Sequence, residues 1–323
     1  MQFKDIIGQE SVKEQLRRSA REGRIPHARL FTGPSGVGKL QLAIAYAQYL
    51  ACQNRTEEDS CGVCPACLQF SKLQHPDLHF AFLIVKTGTG DVVCDEFVGD
   101  FRKLLLEKGY FDLDDWYKAM GVETKQGMIY EKESSEILRK LSLKSFGDGY
   151  KTMIIWLPEK MNAVCANKLL KILEEPPKDT QFLMVSEQPE LLLTTILSRT
   201  QEVHVSRLSE EEIAQALETK LQISNTDAHD YAHIANGSYL KALQIAEQSA
   251  DTSKYFNDFV ALMRNAWLVG QRKNYSALLD LRKWSLDMAD AKVGREKQKA
   301  FLQYAQRQVR ENYIYNLQHP EMN

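Results

Sequence analysis

The sequence predicts an α/β nucleotide-type fold, a parallel sheet packed with helices, followed by all-helical parts. Three observations predict it. The glycine-rich loop Gly33-Pro34-Ser35-Gly36-Val37-Gly38-Lys39-Leu40 lies between a short apolar strand and an apolar helix, the setting in which backbone N–H groups cradle phosphate. Apolar runs of strand length alternate with helical periods up to about residue 206, as a parallel sheet covered on both faces requires. From Ser209 onward the strand signal stops and amphipathic helix continues, interrupted chiefly at Gly237 and Gly270.

The elements follow in order. Ser11 and Glu14 form an S-x-x-E capping box, Val12, Leu16 and Ala20 share a face, and Gly23 ends the first helix. A strand over His27–Thr32 feeds the glycine loop, and Leu42, Ala43, Ala47 and Leu50 give an apolar helix face ending near Cys52. Further strands are expected at Leu78–Val85, Thr152–Leu157 and Gln181–Val185, with helices at Glu131–Leu143 and Asn162–Glu174. Pro176-Pro177 closes the second of those helices. Ser209 and Glu212 form another capping box. Between 86 and 125, Thr87–Gly90 reads as a turn and Phe97, Phe101, Leu104 and Leu105 suit a helix, with no recognisable chemistry.

A length of 323 residues favours two or three domains. A net charge of −2 excludes a globally basic nucleic-acid binder, though not a local patch. No apolar run reaches the roughly 18 residues of a membrane span, and MQFKDIIGQE reads as neither signal nor transit peptide. The expectation is a soluble cytoplasmic protein whose cysteines are thiols or metal ligands rather than disulfides.

Cys52, Cys61, Cys64 and Cys67 are spaced C-x8-C-x2-C-x2-C. Two-residue gaps let successive thiolates turn back onto one ion, and four complete a closed tetrahedral Zn²⁺ shell, so the site is structural. An iron–sulfur cluster is the competitor, but no C-x3-C-P continuation follows Cys67; unrelated free thiols are the third reading. Cys94 and Cys165 read as core residues.

The phosphate loop departs from its pattern at one position. Gly33, Gly36, Gly38 and Lys39 can hold an anion at a helix N-terminus, but Leu40 replaces the hydroxyl that would hold Mg²⁺. The strand expected to end in a metal-binding carboxylate ends instead in Trp156 and Leu157, with Glu159 two to three residues late and Pro158 redirecting the exit. Two lost metal contacts predict no ATP turnover by this chain, and weak ATP or ADP binding at most.

Further short motifs accompany these sites: Ile7-Gly8-Gln9, His27-Ala28, Leu30-Phe31-Thr32-Gly33-Pro34, His75-Pro76-Asp77, Leu173-Glu174-Glu175-Pro176-Pro177 and Ile196-Leu197-Ser198-Arg199. With the cysteine module, they resemble the clamp-loader subunits of bacterial DNA polymerase III, within the AAA+ family, over nearly all of residues 1–250 except 86–125. The lost metal ligands resemble the non-hydrolysing delta-prime branch rather than the hydrolysing tau/gamma branch. The resemblance implies an AAA+ nucleotide-fold domain over 1–206, with a zinc module at 52–67 and an insertion at about 86–125. It also implies a helical lid over 207–250 and a helical collar, short or truncated, over 251–323.

For function, the resemblance implies a stator in a five-subunit open ring that places the sliding clamp on primed DNA. Its partners would be tau/gamma and delta subunits, with clamp and primer-template DNA met through the complex and no membrane. The chain would have no ATPase of its own while serving the polymerase III holoenzyme, a DNA-directed DNA polymerase and so a nucleotidyltransferase as a whole. Arg199, beside Ser198 and with Thr200 in the family's cysteine position, becomes an arginine finger offered in trans to a neighbour's ATP; otherwise it is a surface arginine ending a helix. In the lid, Leu240 stands where active subunits carry an arginine, and Lys241 reads as surface. Asn162 and Asn167 are candidate phosphate neighbours, Asn162 equally an N-cap. Two rivals stay open: a working AAA+ ATPase of tau/gamma type with ligands such as Glu159, and a zinc-dependent DNA-binding adaptor, which the near-neutral charge disfavours.

Overall fold

The computed structural model describes residues 1–86, 92–122, 126–146, 149–272, 274–290 and 295–316. They divide into two compact units, Met1–Leu243 and Gln244–Asn323. In chain order the elements are α1 (Glu10–Arg21), β1 (Ala28–Thr32), α2 (Lys39–Ala51), α3 (Pro65–Ser71), β2 (Leu78–Ala81), α4 (Val98–Lys108) and α5 (Leu113–Ala119). They continue with α6 (Glu131–Ser142), β3 (Lys151–Trp156), α7 (Ala163–Glu174), β4 (Thr180–Val185), α8 (Thr194–Leu197) and β5 (Gln201–His204). The helices α9 (Glu210–Leu221), α10 (Asn225–Ala235), α11 (Tyr239–Arg272), α12 (Tyr275–Ala289) and α13 (Arg295–Asn316) complete the described residues.

The first unit is built on a five-stranded sheet in the order β2-β3-β4-β1-β5, every pair parallel. β1, β3 and β4 are buried along their whole length, which is why they read as continuous apolar runs rather than alternations. β5 differs. Its sequence is Gln-Glu-Val-His and only Val203 is buried, so this polar edge strand had no apolar run to announce it. β2 ends at Ala81 rather than Val85, and Ile84 instead bridges antiparallel to Met128.

α6 and α7 fall within a residue of their expected bounds. Asn162 is the N-cap of α7, its Oδ1 accepting from the Cys165 N–H at 2.8 Å. The Ser209–Glu212 capping box forms in both directions, at 3.2 and 2.8 Å. The Ser11–Glu14 box does not form. Gly8 and Gln9 both adopt left-handed backbone (φ 54° and 62°), which turns the chain into helix at Glu10 with Gln9 as N-cap. The Gln9 side chain is occupied elsewhere, donating to the Ser206 carbonyl at 2.7 Å.

Cys94, Phe101, Leu104, Leu105 and Trp116, in and between the described helices after residue 92, belong to the core. Phe101 of α4 stacks on Phe82 with centroids 4.3 Å apart and meets Trp116, Phe111 and Trp156 at 5.4, 5.7 and 5.7 Å. The Trp116 indole donates to the Leu83 carbonyl at 2.9 Å, which satisfies its polar atom in an apolar setting. The turn expected at Thr87–Gly90 lies outside the described residues. In the second unit, Phe301 of α13 is buried against Tyr255 (5.9 Å) and Trp284 (5.1 Å), a small all-helical core. Among the described residues, no helix is long and apolar enough to cross a membrane.

Candidate functional site

β1 delivers the chain into the glycine loop, and Gly38 is the N-cap of α2. Two loop glycines are required by their surroundings. A Cβ on Gly33 (φ +136°) would run into the Val205 carbonyl, and one on Gly36 (φ +78°) into Ser238 and Leu240. The Gly36 carbonyl accepts the Tyr239 N–H at 3.1 Å, so the start of α11 is seated on the loop. Leu240 is buried there.

Lys39 does not project into open space. Its ammonium is buried, donates to the Gly33 carbonyl at 2.8 Å and to that of Pro34, and lies 3.9 Å from Glu187. Burial lowers it to about 8, against the attraction of Glu187 and Glu159. Over the loop stand Tyr110 and Phe111, which follow α4, and Trp156, leaving a cavity of about 30 Å³. That is room for a water or two. The Gln41 amide tethers this cover by donating to the Gly109 carbonyl at 2.5 Å. Tyr110 also walls a second hollow of about 400 Å³ beside Ile7, Gly8, Glu212 and Tyr239. Tyr110 and Phe111 carry no motif, so sequence reasoning passed over them.

At the metal-strand position the side chains are buried Trp156 and Leu157. Leu157 has left-handed backbone (φ 57°) and its N–H donates to the Val185 carbonyl at 2.8 Å. Glu159 Oε1 accepts the N–H groups of Glu187 and Gln188 at 2.9 and 3.2 Å. This carboxylate pins the turn after β4.

Ser198 and Arg199 follow α8, the Ser198 hydroxyl donating to the Thr195 carbonyl at 3.2 Å. Arg199 donates to the same carbonyl at 2.8 Å and to Glu174 Oε1 at 2.6 Å. β5 runs parallel to β1 with His204 level with Thr32. Arg199 precedes β5, so about five residues of extended chain, roughly 16 Å, separate it from the level of the phosphate loop. The structure therefore does not bring Arg199 to Lys39.

The four cysteines are brought together. Cys52 ends α2, Cys61 lies in the following loop, and Cys64 and Cys67 are the N-cap and first turn of α3. Their Sγ atoms all lie within 4.8 Å of one another, with Cys61–Cys67 and Cys52–Cys64 both at 4.0 Å. Four sulfurs around one Zn²⁺ at 2.3 Å stand about 3.8 Å apart, so the cluster is a structural Zn²⁺ site. N–H groups face the sulfurs, Cys61 onto Cys52 at 3.2 Å and Cys64 onto Cys61 at 3.3 Å. The N–H groups of Val63 and Cys64 bring the Cys61 thiol down to about 6, while burial raises Cys52 and Cys67. The intervening loop is stitched to the N-terminal segment, Asp59 accepting from the Phe3 and Lys4 N–H groups at 3.1 and 3.0 Å.

Residues 8–209 match the family described as "DNA polymerase III, delta subunit". Curated relatives include subunit tau of Escherichia coli K12, 30% identical over 76% of this chain and 33% of that protein. Subunit delta' of Bacillus subtilis is 29% identical over 71% of this chain and 55% of that protein. The chain spans about a third of the length of the tau-type relatives. Among solved structures, the RuvB Holliday junction branch migration motor of Thermotoga maritima is 13% identical, with 93% of this chain and 88% of that chain covered and a TM-score of 0.45; so remote a likeness carries no argument. The match over 8–209 covers most of the chain, which therefore belongs to the family of DNA polymerase III clamp-loader subunits of tau, gamma and delta type.

Proposed function

We propose that this chain is the non-hydrolysing, delta-prime-type member of a clamp-loader complex, acting as stator and lending Arg199 to a neighbouring tau/gamma ATPase site. The observation that carries this reading is the separation of its two charged devices. Lys39 is turned onto its own loop beneath Tyr110, while Arg199 sits at the opposite end of the sheet, away from that loop, which supports a role towards another subunit's nucleotide rather than this chain's own. A guanidinium beside a γ-phosphate stabilises transition-state charge. The proposed partners are tau/gamma and delta subunits, with the sliding clamp and primer-template DNA engaged through the assembly. The proposed division is a nucleotide-fold domain over 1–206, a lid over 207–250 and a collar over 251–323, with ATP and ADP not held by this chain's loop.

The test is a loader reconstituted with Arg199→Ala. ATP turnover stimulated by primed DNA and clamp falls by about 10³ or more, while zinc content and melting of the lone chain are unchanged. Undiminished turnover refutes the finger. A second reading, a hydrolysing tau/gamma-type subunit, is favoured by the 30% identity to subunit tau. ATP hydrolysis by the purified lone chain, abolished by Lys39→Ala, would establish that alternative.

A further inference from the structure

We infer that Glu174, at the end of α7, is a positioning residue for Arg199, holding the guanidinium in the pose from which it reaches a neighbour's nucleotide. This rests on the finger reading above and adds a residue to it. The geometry is a two-point clamp. One terminal nitrogen of Arg199 donates to the Thr195 carbonyl at 2.8 Å and the other to Glu174 Oε1 at 2.6 Å. A guanidinium carries five N–H donors in a rigid plane, so fixing one donor on each terminal nitrogen fixes the plane; the nitrogen on Thr195 also reaches the Ser198 hydroxyl at 3.4 Å. The Arg199 side chain keeps 32% of its surface exposed and that of Glu174 50%, so the head is restrained without being covered.

The placement of Glu174 supports the assignment. It is the last residue of α7, where the helix dipole disfavours an anion, and Lys171 of the same turn is the ordinary choice. A carboxylate set against local preference marks a job done outside the helix. Pro176-Pro177 immediately follow and stop α7 from continuing, which fixes where Glu174 stands. An unheld arginine spreads over many rotamers; a clamped one delivers its charge in a single orientation, the condition under which positioning accelerates a reaction.

The bland alternative is an ion pair that merely fastens α7 to the end of α8. The two roles separate in a reconstituted loader of this chain with its tau/gamma- and delta-type partners, assayed for ATP turnover with primed DNA. Four variants are compared: Glu174→Gln, Glu174→Asp, Arg199→Ala, and the double Glu174→Gln/Arg199→Ala. Glu174→Gln lowers kcat about three- to tenfold with KM for ATP within about twofold, because the finger acts in the transition state. Glu174→Asp recovers most of that loss, and the double variant equals Arg199→Ala alone, since the carboxylate works only through the guanidinium.

An unchanged or raised kcat for Glu174→Gln overturns the inference, the raised value marking a restraint instead. So does a further loss on adding Glu174→Gln to Arg199→Ala, or a kcat loss that tracks a lowered Tm of the lone chain. If Arg199→Ala itself leaves turnover intact, the finger reading fails and the inference falls with it; if Arg199→Ala is impaired and Glu174→Gln is not, the inference alone fails.

Discussion

The rings of Tyr110 and Tyr239 meet edge to face, centroids 5.0 Å apart and planes at 75°, so the second residue past α4 and the first residue of α11 close over the glycine loop from two sides. Burial raises both hydroxyls above their ordinary range, Tyr239 to about 12, as expected of aromatic groups that serve as packing. Tyr110→Ala empties this contact and costs about 3 kcal/mol of unfolding free energy, read by chemical denaturation. The enlarged space does not produce ATP turnover, because Leu40, Trp156 and Leu157 are untouched.

Replacing Leu40 tests the metal argument directly. Leu40→Thr supplies the missing hydroxyl, yet Lys39 still faces the Gly33 carbonyl and Glu159 still caps the turn after β4. Turnover of ATP with Mg²⁺ by the lone chain stays at background. The side chain is nearly buried, so the polar replacement also lowers stability by about 1–3 kcal/mol.

The purified chain binds one zinc through Cys52, Cys61, Cys64 and Cys67, measurable by elemental analysis, without the visible absorption of an iron–sulfur cluster. Chelation or Cys64→Ser frees the end of α2 and the start of α3 together. Tm falls by about 10 °C, the scale of several kcal/mol in a chain of this size.

His79 sets an acid limit. Burial, reinforced by repulsion from Lys140, lowers its imidazole from 6.5 to about 4. The unfolded chain therefore binds a proton that the folded chain refuses between those values, so the contribution is fully present above pH 6.5 and lost as pH falls towards 4. Between pH 7.5 and 5 this amounts to about 2 kcal/mol. His79→Gln flattens the stability profile by that amount when denaturation midpoints at the two pH values are compared; an unaltered slope would contradict it.

The buried strands were legible because β1, β3 and β4 are apolar on both faces, and the cysteine cluster because metal-ligand spacing is local. Leu40 and Trp156, the two residues on which the expectation of no Mg²⁺ contact rests, were visible as single positions in the sequence. What escaped was held in tertiary contacts. β5 is an edge strand with one buried side chain, and Tyr110 reaches the loop only because α4 buries Phe101 under Phe82. Gln9 takes the N-cap of α1 through the left-handed turn at Gly8 and Gln9, a backbone choice that the Ser11–Glu14 spacing does not reveal. Glu174 was visible in its motif, but its partnership with Arg199 spans 25 residues and belongs to no local pattern.

The carboxylate of Glu159 has a consequence for how such a subunit changes over generations. Because it fastens the backbone at Glu187 and Gln188, recruiting it to an ion would loosen a turn beside β4 while the bent backbone at Leu157 still aimed it elsewhere. In the non-hydrolysing reading proposed above, a working metal site would therefore need Leu40, the bent exit at Leu157 and the Glu159 anchorage to change together.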